Sequence, residues 1–317
     1  MVNSKENIIY LYDFKFDLHH IELCNFECRQ LFNKEPREKL LFSKIRAEPS
    51  ISPFIKNRLQ IITQHTDYSF LLENVLDLNL SDSGFKVEYL VLNGDHSERP
   101  EKRARLKDIG YRINAIPNFE KPSIIYAISR YRDIWYFGIL TQNNTSWHKH
   151  NNKPYSFSSS LDIKIAKSLI SIVSKGNKSK TILDACCGVG TIMLEGCISG
   201  FKIEGADINP KTCAHARLNL QHYNYDAEIF YTDVNNLNKN YDAAIIDLPY
   251  NLYSYSNDFI TKSIIQSVTK IAKRIVIVST SDIKEFIQNS DLSIEDYCTV
   301  EKRGKSKFER KIWLCKR

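Results

Sequence analysis

From Tyr155 to the C-terminus, strand-like and helix-like stretches alternate, and this alternation leaves few folds open. Short apolar runs stand at Thr181–Ala185, Phe201–Asp207, Ala227–Tyr231, Ala243–Ile246 and Arg274–Ser279. Helix-period segments surround and separate them at Asp162–Val173, Gly190–Ser199, Thr212–Tyr223, Phe259–Ala272 and Ile283–Asn289. Such a pattern predicts a doubly wound α/β sheet of Rossmann-like type. The last two stretches, Ser293–Glu301 and Lys307–Lys316, are joined by a short turn containing Gly304. Adjacent strands so closely linked must run antiparallel, so the sheet is expected to close on a hairpin.

The front half reads differently. Ile8–Phe14 predicts a strand and His19–Leu31 a helix, with Ile21, Leu23, Cys24, Cys28 and Leu31 near one face. Phe54–Phe70 is read as a helix through Ile55, Leu59 and Ile62, followed by the aromatic pair Tyr68 and Phe70. Phe85–Leu92 predicts a strand, and His96–Arg112 a basic helix ending at Gly110. That basic face suits either solvent or RNA. Ser123–Ile128 and Ile134–Leu140 predict a strand pair. Thr141–Asn152 is polar and rich in Asn and His, and the boundary is placed there. The expected organisation is a smaller α+β region over residues 1–145, a linker over 146–157, and the α/β domain over 158–317. His148 and His150 read as linker residues, because no further metal ligands accompany them. His19 and His20 read as a solvated helix start.

A chain of 317 residues has room for two domains and an ample core. Its 43% hydrophobic and 26% charged residues are ordinary for a soluble protein. No apolar run reaches about 18 residues, and Met1–Tyr10 is polar, so a cytoplasmic protein without a membrane span is expected. The net charge of +7 favours a polyanionic partner without specifying one. None of the eight cysteines forms a CxxC pair, so reduced, largely buried thiols are expected and no zinc site.

The chemistry concentrates at strand ends. Asp184 closes the first strand, Asp207 the second, Asp233 follows the third, and Asp247 closes the fourth. In open parallel sheets, ligands bind at these carboxyl ends. Between Asp184 and the first helix lie Cys186, Gly188, Gly190 and Thr191, a turn whose glycines let backbone approach a ligand. A dinucleotide site would need a third glycine where Met193 stands, and Asp184 would repel a pyrophosphate. A cationic amino-acid ligand fits better, as in S-adenosylmethionine. Asp207 then suits the ribose hydroxyls, Asp233 the adenine amine, and Ile208 or Val234 the ring face. At the fourth strand, Asp247-Leu248-Pro249-Tyr250 supplies a carboxylate, a backbone carbonyl and an aromatic ring. These suit a planar base bearing an exocyclic amine. The two oxygens accept its N–H bonds, and Tyr250 stacks on the ring.

The order Asp-Ala-Cys-Cys-Gly-Val-Gly, Ala-Asp-Ile, Thr-Asp-Val, Asp-Leu-Pro-Tyr resembles class I methyltransferases. The last element resembles the (Asn/Asp)-Pro-Pro-(Tyr/Phe) motif of amino-group methyltransferases, with Leu248 where the first Pro usually stands. Phe85–Val87, Leu106–Ile113 and Tyr136-Phe137-Gly138 resemble the end of a degenerate THUMP RNA-binding domain. Lys153-Pro154-Tyr155 with Ser158–Leu161 resembles the passage into the catalytic domain of THUMP-linked tRNA guanosine-N2 methyltransferases. That resemblance implies transfer to guanosine N2 in tRNA, and places Ser160 near the donor. Asn251 replaces the Gly common after the motif, so adenosine N6 stays open. Tyr253 and Tyr255 suit either a base pocket or loop packing. Lys302, Arg303, Lys305, Lys307, Arg310 and Lys311 give the closing hairpin a basic tip suited to phosphate. The rival readings are a DNA adenine-N6 methyltransferase and a non-catalytic RNA-binding protein that keeps the fold. Neither oligomeric state nor the need for a partner subunit is written in the residues.

Overall fold

A computed structural model of the chain describes residues 8–157, 160–249, 255–301 and 309–317, the side chains of 255–257 excepted. In chain order the elements begin with β1 (Tyr10–Phe14), α1 (Ile21–Phe32), β2 (Leu40–Ser43), β3 (Ile55–His65) and α2 (Tyr68–Asp77). There follow β4 (Phe85–Tyr89), α3 (Arg99–Gly110), β5 (Ile124–Tyr131) and β6 (Ile134–Gln142). After a 3-10 segment at Thr145–Asn152 come α4 (Ile163–Ser174), β7 (Thr181–Asp184), α5 (Thr191–Ile198), β8 (Lys202–Asp207) and α6 (Pro210–His222). The chain ends with β9 (Ile229–Tyr231), β10 (Ala243–Asp247), α7 (Tyr255–Ile271), β11 (Arg274–Ser279), α8 (Lys284–Gln288), β12 (Ser293–Glu301) and β13 (Glu309–Lys316).

Two compact units result. The first comprises Met1–Lys15, Glu35–Pro49 and Phe54–Asn143. Its six-stranded sheet has the order β2-β1-β3-β6-β5-β4, antiparallel throughout except where β4 pairs with β5. Leu71, Val75 and Ile109 from α2 and α3 close a core against Phe85, Tyr126 and Phe137. The α+β reading therefore holds, but Ile55–His65 is a strand, not the helix expected across Phe54–Phe70. β3 lies between two neighbours, and Ile55, Asn57, Arg58 and Leu59 are all buried. Its register also shifts between Ile61 and Thr63. With both faces covered and a bulge inside, the strand loses the alternation that marks one from sequence. The helix sits further on: Asp67 caps α2 by accepting from Ser69 and Phe70 N–H groups. Arg105 of the basic helix α3 lies 3.9 Å over the Tyr68 ring, so part of that charge serves packing.

The second unit comprises Phe16–Lys34, Ser50–Pro53 and Asn144–Arg317. Its seven-stranded sheet has the order β12-β13-β11-β10-β7-β8-β9. All pairs are parallel except those made by β13, which runs antiparallel to β11 and β12. This is the doubly wound sheet with a closing hairpin. From β7 the chain winds outward through β8 and β9, then returns to β10 on the other side. The switch point thus lies between β7 and β10, where ligands of such folds bind.

Two segments belong to this unit although they read as front region and linker. Helix α1 packs on α4, and its Glu27 is fully buried, accepting hydrogen bonds from Ser52 and Ser171. Burial pushes that carboxyl up to about 7. In the expected linker, His148 is exposed, but Trp147 and His150 are buried. His150 Nδ1 lies 2.6 Å from Glu195 Oε1, and its Nε2 lies 3.1 Å from the Tyr225 hydroxyl. Glu195 also faces Lys167 Nζ at 3.9 Å, and Lys167 donates to Ser199 at 2.6 Å. Burial lowers the Lys167 ammonium to about 8. The segment's polar composition suggests solvent exposure, yet His150 finds its partners inside.

Glu195→Ala would leave Lys167 without its counter-charge and His150 without its hydrogen-bond partner. A loss of about 3 kcal/mol is expected. Urea unfolding of the full chain measures it, and a loss under about 1 kcal/mol would contradict the pairing.

Candidate active site

The strand registers set the site's carboxylates in a staircase. Asp184 in β7 is level with Ile245 in β10 and with Gly205 in β8. Asp247 and Asp207 therefore each stand two residues further towards the carboxyl end. Asp207 in turn is level with Tyr231 of β9, and Asp233 lies two residues beyond that. Each step is an acid, and the negative charges of Asp184, Asp207, Asp247 and Asp233 all act on the Cys186 thiol.

Asp184 is the deepest of the four. It is fully buried, and neither of its carboxylate oxygens has a hydrogen-bond partner among the described residues. Burial, then the charges of Asp247 and Asp207, push its carboxyl well above the usual range. The nearby Cys186 backbone N–H opposes this only in part. A buried acid without a counter-charge is costly unless it stays protonated or meets a cation. The same surroundings raise the Cys186 and Cys187 thiols, so neither is a ready nucleophile.

Asp207 holds the turn beside it. Its Oδ2 accepts from the Gly188 N–H at 2.9 Å, and its Oδ1 from Asn209 N–H and Thr212 Oγ1 at 2.8 and 3.0 Å. A carboxylate offers about four acceptor sites, so one remains for a ligand hydroxyl. Gly188 and Gly190 have φ of +52° and +79°, a region that favours glycine. Thr191, buried, opens α5 directly after them. Asp233 caps a short turn by accepting from Asn235 N–H. Asn219 was not legible as a site residue, yet it clamps the segment before α4 to the glycine turn. Its side chain accepts from Tyr155 N–H at 3.0 Å and donates to the Tyr155 and Val189 carbonyls, each at 2.9 Å.

Two chambers meet at Cys186. One, about 320 Å³, is lined by Asp207, Ile208, Asp233, Val234, Pro249 and Phe259 among others. Ile208 and Phe259 are largely exposed at its rim, while Val234 is buried. The other, about 100 Å³, is lined by Ser160, Gly188, Thr191 and Asp247 together with Phe157 and Leu161. Ser160 is tied to Phe157 by paired bonds, its hydroxyl accepting from the Phe157 N–H at 3.1 Å. Leu248 donates its N–H to the Val278 carbonyl at 3.0 Å and is buried. So the structure gathers Asp184, Cys186, Gly188, Gly190, Thr191, Asp207, Asp233, Asp247 and Ser160 at one end of the sheet. Phe259, by sequence simply the start of a helix, joins them. Tyr250, Asn251 and Tyr253 lie outside the described residues, as do the side chain of Tyr255 and Lys302, Arg303, Lys305 and Lys307. Arg310 is described and buried rather than at a solvated tip. Among the described residues, no group of three or more His, Cys, Asp or Glu could hold a metal ion, and no helix is long and apolar enough to cross a membrane.

A doubly wound sheet of this order, with a glycine turn after β7 and an acid at each following strand end, has the architecture of class I methyltransferase domains. S-adenosylmethionine is the donor of this class, and the partnerless buried Asp184 fits its cationic groups. Residues 150–305 match the family UPF0020, described as an RMKL-like methyltransferase domain. One relative is the tRNA (guanine(10)-N2)-dimethyltransferase of Methanothermobacter thermautotrophicus. It is 29% identical over 119 residues, covering 36% of this chain and 34% of that protein. The enzyme of the same name from Methanocaldococcus jannaschii is 24% identical over 217 residues, covering 62% and 61%. The matches thus span about one third and three fifths of those relatives' lengths. Among solved structures, TrmN from Thermus thermophilus shares the fold at a TM-score of 0.50 and 12% identity, covering 98% of this chain and 99% of that one.

The state of Asp184 has a pH signature. Folded protein keeps a proton there at pH values where the unfolded chain has lost it. Donor-free stability should therefore fall as pH rises above the usual Asp range towards the raised folded pKa. A cationic donor favours the carboxylate, so donor affinity should rise with pH over that window. Asp184→Asn should flatten the pH dependence of the donor-free melting temperature and weaken S-adenosylmethionine binding at least about tenfold. Melting curves and calorimetry across pH read both. Unchanged donor affinity would contradict the assignment.

Proposed function

We propose that this protein transfers the methyl group of S-adenosylmethionine to the exocyclic amine of a base in RNA, namely guanosine N2 in tRNA. The observation that carries this reading is the position of Asp247. It stands one step above the partnerless Asp184, in the same chamber as the Gly188 turn and Ser160. A carboxylate there meets whatever lies beside a donor bound across Asp184, Asp207 and Asp233. The names of the two archaeal relatives support guanosine over adenosine.

The residues divide the work as follows. Asp184 faces the donor's positive charge, Asp207 accepts from the ribose, and Asp233 accepts from the adenine amine. Ile208, Val234 and Phe259 supply apolar contact to the ring. When bound, the donor supplies an electrophilic methyl on a sulfonium. An exocyclic amine is a weak nucleophile because its lone pair is delocalised into the ring. Asp247 and the Leu248 carbonyl accept its two N–H bonds, which favours a pyramidal nitrogen with its lone pair directed at the methyl. Leu248 can do this without being proline, since the contribution is a main-chain oxygen on a residue anchored to β11. Tyr250 stacks on the base. Orientation and preorganised charge are the protein's main contributions.

Asp247→Ala should lower transfer at least about 100-fold while donor affinity stays within about threefold. Single-turnover assays beside calorimetry test this. Activity within a few-fold of wild type would remove Asp247 from the proposed role.

A further inference from the structure

A third chamber, about 380 Å³, adjoins the site, and the mechanism above leaves it unused. It shares Phe157, Ser160 and Leu161 with the small chamber that contains Asp247. The donor acids follow β7, β8 and β9. This chamber lies over the other half of the sheet. Its walls come from the segment before α1, from Lys153, from the start of α4, and from the base of the β12–β13 hairpin. The hairpin reaches it because Lys311 of β13 is level with Ser279, the last residue of β11, so β13 begins at the carboxyl end of the parallel strands. A volume near the lower end of the roughly 300–1,000 Å³ typical of small-ligand sites suits one nucleotide unit.

The walls carry Lys153, Lys164 and Arg310 beside the acids Asp17, Asp162 and Glu301, and their pairing separates the cations. Lys164 is engaged with Asp17 at 3.3 Å. Lys153 is half-buried, and no ion pair or side-chain hydrogen bond satisfies its ammonium among the described residues. Burial lowers its pKa, and Glu195 and Asp162 attract it only from a distance. A partly desolvated ammonium at the wall of a cavity is a site for an anion. His19, read from sequence as a mere helix start, stands in the same wall as a further donor.

We propose that this chamber holds the sugar and phosphate of the acceptor nucleotide, with Lys153 on the phosphate, while the base passes Phe157 to reach Asp247. This rests on the RNA reading above and adds to it the residue that positions the acceptor. A nucleotide taken out of its stack must be held by its backbone as well as its base. Phosphate contacts set register rather than sequence preference.

The test compares wild type, Lys153→Gln and Lys153→Arg as full-length protein on an unmodified tRNA transcript. Measured are kcat/KM for tRNA over a range of salt, and S-adenosylmethionine affinity by calorimetry. For Lys153→Gln, kcat/KM should fall at least about tenfold and the salt slope by about one unit, with donor affinity within about twofold. Lys153→Arg should restore most of the loss, which a folding defect would not do. An equal loss of donor affinity in Lys153→Gln would make Lys153 a donor ligand and overturn the proposal. So would an unchanged salt slope in an active enzyme, with the RNA reading left intact. A wild type that methylates no RNA would overturn both.

Discussion

Among the described residues, Asp184 is a fully buried acid whose carboxylate oxygens have no hydrogen-bond partner, and the site is arranged around it. Folding could have given it a lysine or arginine, as buried carboxylates usually receive. Instead the described charges that act on it are those of other acids, Asp247 and Asp207. Burial and these like charges both favour a proton on Asp184. A ligand carrying positive charge relieves both. Burial of Asp184, the larger of these causes, thus favours a cationic donor at this position. The staircase register adds direction, because each acid stands beyond the last and meets a different part of an extended ligand.

Holding four carboxylates at one sheet end requires a rigid frame. Part of it is local: Asp207 anchors Gly188, and Leu248 is anchored to β11. Part comes from distant sequence. Asn219 ties Tyr155 to Val189, and the His150–Glu195–Lys167 cluster locks the segment before α4 to α4 and α5. Helix α1 adds its own buried carboxylate, Glu27, against Ser171 of α4. A truncation at residue 140 would therefore strip a helix from the second unit as well as removing the first sheet.

Much of this was legible in the residues. The strand Arg274–Ser279 appears with the bounds read from its apolar run, and Ser293–Glu301 with those read for the closing hairpin. The four acids were legible because a strand end is visible in sequence and ligand position follows from topology. Other features were not. β3 looked helical because a central, bulged strand loses its two-residue period. His150 looked like linker because its partners, Glu195 and Tyr225, lie 45 and 75 residues away. Asn219 and Lys153 share that property: their roles depend on cavities and partners that only the folded chain assembles. Phe259 was seen as a helix residue, and only the chamber beside β9 shows its second face.

The acceptor atom is what most directly distinguishes guanosine N2 from adenosine N6 transfer. Mass spectrometry of tRNA nucleosides from cells with and without the gene addresses it directly, in whatever assembly the cell provides. The account predicts that N2-methylated guanosine disappears from tRNA when the gene is lost and returns with the wild-type copy. An unchanged nucleoside profile, or loss of an N6-methylated adenosine instead, would contradict it.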